Sequence, residues 1–173
     1  VEETGAVKQA LKAESMLDID VDNLDGMSAE VMGNLAAARR LMGIATAPLV
    51  ADYAEMCLEG GEDKLLIFGH HIAVLDILQE KLERFGVVRI DGSVGPSQKQ
   101  KLIDDFINDP TKRLCIGNLI SMGVGTDGLQ GVCNHCIFAE VDWVFGNNQQ
   151  GIDRLHRGGQ ARGVLAEFLV APG

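Results

Sequence analysis

Along two thirds of this chain, apolar residues come in short runs separated by segments with helical spacing. KLLIF (64–68), VVRID (87–91), RLCIG (113–117), HCIFAE (135–140) and LAEFLV (165–170) are bounded and rich in branched and aromatic residues, and they read as buried strands. After the first of them, Ile72, Leu75, Leu78, Leu82 and Phe85 recur every three or four residues, which predicts a helix with one apolar face. Pro96 with Ser97 opens another helix, running to about Ile107. Strands alternating with helix-length segments predict an α/β fold built on a parallel sheet. Active loops in such sheets lie beyond the carboxyl ends of the strands, here 69–71, 91–97, 118–130 and 141–150.

The first 60 residues follow a different pattern. Val31, Leu35, Ala38 and Met42 have helical spacing, with Arg39 and Arg40 on the other face and Ser28 placed to cap the start. Ala47-Pro48 predicts a break, followed by a second helix to about Leu58 that Gly60-Gly61 closes. Residues 1–28 lack periodicity and contain the acidic run DIDVDNLDG. The expected organisation is an acidic linker or surface segment (1–28), a helical lead-in (29–60) and an α/β domain (61–173). No apolar run approaches the ~20 residues of a membrane span, so no membrane partner is expected. The opening VEETGAVKQ has no signal-peptide character, and a start on Val1 rather than Met suggests a fragment.

Charge changes the picture through its distribution. The net charge of −10 argues at first against a nucleic-acid partner. Residues 1–30 hold eight Asp and Glu against Lys8 and Lys12, whereas residues 31–173 carry 13 basic and 17 acidic side chains. From Val144 to Leu165 there are three arginines and a single acid, Asp153. A locally basic segment in an acidic chain fits a protein that meets phosphate at one surface. The four cysteines predict free thiols and a cytoplasmic or nucleoid-associated protein that is not secreted. Cys133 and Cys136 have metal-ligand spacing, but a zinc site needs a second pair and the chain has none, so no bound metal is expected.

Gly123-Val-Gly125-Thr-Asp-Gly128 matches the dinucleotide fingerprint G-x-G-x-x-G, with Glu140 near the position of a ribose-binding acid. Three features oppose that reading. The first glycine comes six residues after Gly117 instead of directly after the strand. About six residues separate Gly128 from the next strand, too few for a crossover helix. The motif also falls late in the chain rather than opening the fold.

The run QQGIDRLHRGGQ (149–160) holds the most specific chemistry. It sets Gln150, Arg154 and Arg157 at spacing Q-x-x-x-R-x-x-R, read as the start of a helix with both arginines on one face. Each guanidinium stays charged and presents a planar fork suited to phosphate oxygens. This run resembles the sixth motif of superfamily-2 helicases in their Swi/Snf-type form, and other segments agree in order. KLLIFGHHIAVLDILQEKL (64–82) resembles the fourth motif, RIDGSVGPSQKQKLIDDF (89–106) the strand and turn that follow it, and SMGVGTDGLQ (121–130) the fifth motif. RRLMGIATAPLVADYAE (39–55) resembles the segment bridging the lobes in the annealing-helicase and phage-type branch. Departures are Lys99 in place of an arginine, Val144-Phe145-Gly146 in place of an asparagine-proline, and one extra residue around Gly128.

The resemblance implies a RecA-like helicase C-terminal lobe that contacts the DNA backbone. It implies arginine fingers at Arg154 and Arg157, and ATP contacts from Gln150, Gly125 and Asp127. DNA contacts would come from Gly69, His70, Gly92, Ser93, Ser121 and Gly123. The chain has no G-x-x-x-x-G-K-[ST] loop and no DEAH-like acid pair. ATP and Mg²⁺ are therefore expected mainly on an N-terminal RecA-like lobe of the same parent, and the isolated chain is expected to hydrolyse nothing. Plain roles stand beside these: His70 and His71 as a helix start, Ser93 as a turn residue, Trp143 as packing, His156 as surface cover. Two other functions stay open, a non-catalytic DNA- or protein-interaction lobe and an NAD-binding domain.

Overall fold

The computed structural model describes residues 29–123, 127–142 and 145–169. Expectations for residues 1–28, Gly125 and Trp143 lie outside these. The chain divides into two compact units, with the boundary between Thr46 and Ala47.

Helix α1 (Ala29–Glu59) is continuous and carries Pro48 inside it. The predicted break does not occur. Pro48 lacks an N–H and costs a helix interior roughly 3 kcal/mol. Against that, Ala47, Val50, Ala51, Ala54 and Leu58 form a fully buried stripe at helical spacing. Each large apolar side chain so buried contributes about 1.5–3 kcal/mol, enough to offset the proline. Just before it, the Thr46 hydroxyl donates to the carbonyl of Met42 at 2.9 Å. Continuity also makes α1 long and apolar enough, by length and composition only, to cross a membrane. No segment of that length was expected from the sequence.

The second unit holds five parallel strands: β1 (Leu65–Gly69), β2 (Val87–Ile90), β3 (Leu114–Asn118), β4 (His135–Phe138) and β5 (Leu165–Phe168). Their order in the sheet is β2-β3-β1-β4-β5. Helices α2 (Ile72–Leu82) and α3 (Pro96–Asn108) connect the first three strands. The short α4 (Leu119–Gly123) follows β3, and α5 (Phe145–Asp153) lies between β4 and β5. The strands fall within a residue or two of their predicted places. On α2 the buried residues are Val74, Leu75, Leu78 and Leu82, while Ile72 is exposed because it opens the helix at the sheet's rim.

The core joins Leu66, Phe68, Cys115, Cys136 and Phe138 of the strands to Ile103 and Phe106 of α3. Cys133 and Cys136 are buried, and burial pushes both thiols up to about 12. The Cys133 thiol donates to the carbonyl of His135. At the amino edge of the sheet two cations cap helix ends. The Lys64 ammonium donates to the carbonyls of Phe106, Asp109 and Lys112 at 2.6, 2.7 and 2.7 Å, below α3. Arg113 donates to the carbonyls of Leu58 and Glu62 at 2.8 and 2.5 Å, below α1.

β1 lies between β3 and β4. The connection after β1 leads toward β2 on one side, and the connection after β4 leads toward β5 on the other. The carboxyl ends of β1 and β4 therefore flank a topological switch point, where open α/β sheets bind their ligands.

Candidate nucleotide and nucleic-acid site

The loops after β1, β2 and β3 meet at the carboxyl edge, and each placement follows from local chemistry. Gly69 ends β1, and His70 follows it in an exposed turn. The His70 carbonyl accepts from Asn118 Nδ2 at 3.2 Å, which ties this loop to the end of β3. After β2, the Asp91 carboxylate accepts from both the N–H and the hydroxyl of Ser93, at 2.9 and 2.5 Å. These bonds, the hydroxyl first, hold the Asp91 carboxyl below the usual carboxylate range, and Arg89 adds to the effect. Gly92 and Ser93 are left exposed at the tip. A Cβ placed on Gly92 would lie 3.9 Å from Ser121 Oγ, so the loop after β2 meets α4. Gly123 is the last residue of α4.

The second group gathers around Asp127. Its carboxylate accepts from Gln130 Nε2 at 3.2 Å and from the Gly128 N–H at 2.9 Å. Those two bonds, with the charges of Arg157 and Arg154, hold the carboxyl below its ordinary range. Arg157 Nη1 stands 3.6 Å from Asp127 Oδ1, with exposures of 37% and 77%, so this contact is open to solvent. Burial lowers the Arg154 guanidinium, and the neighbouring charge of Arg157 lowers it further. The two guanidiniums thus share a small volume with the Asp127 carboxylate, and the charge of Asp153 also acts on Arg154.

The arginines do not stand on a helical face. α5 ends at Asp153, and the chain continues in turns. The Leu155 N–H reaches back to Ile152 at 3.0 Å, an i→i+3 bond that tightens the end, and Gly159 adopts φ +98°. Leu155 is fully buried, and the Gln160 side chain donates to the carbonyls of Cys133 and Leu155. Arg154 and Arg157 are thereby carried on an anchored turn. Gln150 is exposed on α5, where its carbonyl accepts the Arg154 N–H at 3.2 Å.

α5 sits close to the sheet because residue 151 has no side chain. A Cβ there would lie 2.7 Å from Leu119 Cδ2 and 3.1 Å from Phe68 Cε2. The structure therefore brings Asp127, Arg154 and Arg157 together, and separately Gly92 with Ser121 and His70 with Asn118.

Sequence reasoning missed two polar groups that hold these loops. Glu140 accepts from the N–H groups of His70 and His71 at 2.6 and 2.9 Å. Buried Asn148 exchanges two hydrogen bonds with the backbone of Asp142, at 2.9 and 2.7 Å. One signal was legible: HHIAVL opens a helix with no Ser, Thr, Asp or Asn to cap it, so an acceptor had to come from elsewhere.

The human protein described as DNA annealing helicase and endonuclease ZRANB3 is 34% identical over 150 residues, which is 86% of this chain and 14% of that protein. A Xenopus tropicalis protein, SWI/SNF-related matrix-associated actin-dependent regulator of chromatin subfamily A-like protein 1, is 35% identical over 127 residues, covering 72% of this chain and 13% of its own length. The family model described as helicase conserved C-terminal domain matches residues 49–159. The chain belongs to the Swi/Snf-type helicase C-terminal family. Among solved structures, the Sulfolobus solfataricus SWI2/SNF2 ATPase core in complex with dsDNA superposes with a TM-score of 0.66 at 18% identity, over 95% of this chain and 38% of that one. The C-terminal part of the Fun30 ATPase domain gives 0.65 at 21% identity, over 93% and 59%. A helicase lobe of this family is RecA-like, as expected. The NAD-binding alternative loses its footing, because α4 separates β3 from the glycine run and only a short 3₁₀ turn, Leu129–Gly131, precedes β4.

Proposed function

We propose that this helicase lobe is the second half of an ATP-dependent DNA motor, supplying Arg154 and Arg157 to ATP bound chiefly on an N-terminal RecA-like lobe of the same parent protein. The observation that carries the reading is the meeting of Asp127, Arg154 and Arg157 in one cluster. Their chemistry fits a nucleotide: the guanidiniums suit phosphate oxygens, and the Asp127 carboxylate suits a sugar hydroxyl. ATP with Mg²⁺ supplies a phosphoryl group for transfer to water. Arg157, the more exposed of the pair, stabilises charge that develops on that group, and Arg154 holds the adjacent oxygens. Gln150 orients the phosphates from α5, and Gly125 joins Asp127 at the sugar.

The nucleic-acid side uses Gly69 and His70 after β1, Gly92 and Ser93 after β2, and Ser121 with Gly123 on α4. His70, Gly92 and Ser93 are exposed while Gly69 is buried at the end of β1, and the loops they form suit contact with the sugar-phosphate backbone, which positions a duplex without reading its sequence. Alternate closing and opening of the two lobes steps the protein along the strand. The parent works where the cell keeps its DNA, and this lobe alone hydrolyses nothing.

The test is ATP hydrolysis by the full-length parent, with and without DNA, beside its Arg157→Ala variant. DNA-stimulated turnover that disappears in the variant is the expected result. Turnover indifferent to the substitution would remove the finger role and favour a lobe that binds DNA or protein without catalysis.

A further inference from the structure

Beyond the last rung of the β1–β4 ladder the two chains part company. The register ends at Phe68 opposite Phe138, and the Ala139 N–H donates to the Phe68 carbonyl at 2.9 Å. After that, one chain turns into α2 and the other runs on toward α5. α2 begins with no side-chain cap of its own, so its first N–H groups need an acceptor. Glu140 provides it from the neighbouring loop: Oε2 takes the N–H of His70 and His71, and Oε1 meets His71 Nδ1 at 2.5 Å. The carboxylate is 7% exposed, and a negative charge at a helix N-terminus is favoured by the helix dipole.

Two residues on, the same loop is held to α5. Asp142 gives its N–H to Asn148 Oδ1 and takes a bond from Asn148 Nδ2, and Asn148 is 3% exposed. α5 is in turn pressed on Phe68, Phe138 and Leu119 at Gly151. From His70 to the arginine turn there is thus one path: polar contacts at Glu140 and at Asn148, joined by the backbone of residues 140–142 and continued by α5.

We infer that Glu140 is a positioning residue that couples the loop after β1 to the arginine turn after α5. DNA engaged at His70 thereby changes ATP turnover through Glu140 and Asn148. This rests on the motor reading above and adds the route by which one of its sites informs the other. A merely capping Glu140 would stabilise α2 and do nothing for turnover.

The experiment uses the full-length parent and its Glu140→Ala, Glu140→Gln, His71→Ala and Asn148→Ala forms. It measures turnover without DNA, turnover at saturating DNA, the DNA concentration for half-maximal stimulation, the unfolding midpoint and amide exchange. Glu140→Ala and Asn148→Ala should keep DNA-free turnover and lose about tenfold of the maximal stimulation, a usual size for coupling between sites. The double variant should lose no more than the worse single one. His71→Ala, which removes only the ring contact, should lose less. Amide exchange should rise across residues 145–155 in Glu140→Ala, not only at His70 and His71. The inference is overturned if half-maximal DNA rises while maximal stimulation stays whole, if the losses multiply in the double variant, or if exchange rises at His70 and His71 alone. It is likewise overturned if Glu140→Gln, which keeps the shape, lowers the midpoint and DNA-free turnover together. A parent with no ATP turnover, or one indifferent to Arg157→Ala, would defeat the motor reading instead, and that result is read before any Glu140 variant is made.

Discussion

Two groups of cations in this lobe handle positive charge in opposite ways. At the amino edge, Lys64 spends its three donors on three carbonyls within 2.7 Å, and Arg113 spends its fork on the carbonyls of Leu58 and Glu62. His135, 3% exposed, sits there too, against a Glu167 carboxylate that also takes the Tyr53 hydroxyl. In the turn after α5, the ion-pair partner of Arg157 among the described residues, Asp127, stands at 3.6 Å, beyond hydrogen-bond distance, and is 77% exposed. Lys64 and Arg113 are structural because backbone acceptors satisfy them. Arg157 holds donors that a ligand with several oxygens can use. Residue type says little about which role a cation has; the company it keeps decides.

The comparison breaks most visibly at Arg157. Arg157→Ala in the full-length parent should cut DNA-stimulated ATP turnover by roughly 10³ or more, while leaving the unfolding midpoint nearly unchanged. Steady-state turnover and a thermal melt on the same preparation check both halves. A variant that melts early but turns over normally would put Arg157 with the structural cations.

Lys64→Met should do the reverse. It leaves three buried-edge carbonyls without their donor and should cost about 2–4 kcal/mol of stability, read by chemical denaturation. Turnover per folded molecule should stay near wild type. A stable Lys64→Met protein would show that water or chain relaxation satisfies the α3 end equally well.

Asp91, just after β2, sharpens the contrast, since its carboxylate is structural there. Its folded pKa lies below the unfolded value, so its contribution is present above about pH 4 and lost as pH falls through the lower folded value. Asp91→Asn should cost about 1–2 kcal/mol near neutral pH and flatten the acid limb of the stability curve. An unchanged acid limb would remove Asp91 from the loop's support.

The smallest effect is expected at Arg84, which bridges Glu55 and Glu59 on the surface. Exposed pairs of this kind contribute little, so Arg84→Ala should move the denaturation midpoint little, and less still at high salt.

The order of strands and helices was legible because β1, β3 and β4 are buried along nearly their whole length and must be short apolar runs. The outer strands β2 and β5 are only partly buried, and β5 exposes Leu165 and Phe168 against the expectation of a buried strand. The arginines at 154 and 157 were legible by spacing, but their setting was not. Read as one helical face, they stand instead on a turn that Leu155 and Gln160 anchor and glycine permits. The break expected at Pro48 failed for a related reason. A local preference of a few kcal/mol was outweighed by a buried stripe whose partners lie far away in sequence. Glu140 and Asn148 left almost no trace, since a carboxylate 69 or 70 residues from the amides it caps has no local pattern.

What the amino-acid sequence determined by itself is the alternation of strand and helix, the parallel sheet that alternation requires, and the set of loops at its carboxyl edge. These follow from hydrophobic period and from backbone hydrogen bonding, both local in the chain. Only the tertiary structure decided which polar residues remain available and which are consumed. That depends on which acceptors come within 3 Å, and such distances are set by packing between segments that the chain order keeps far apart.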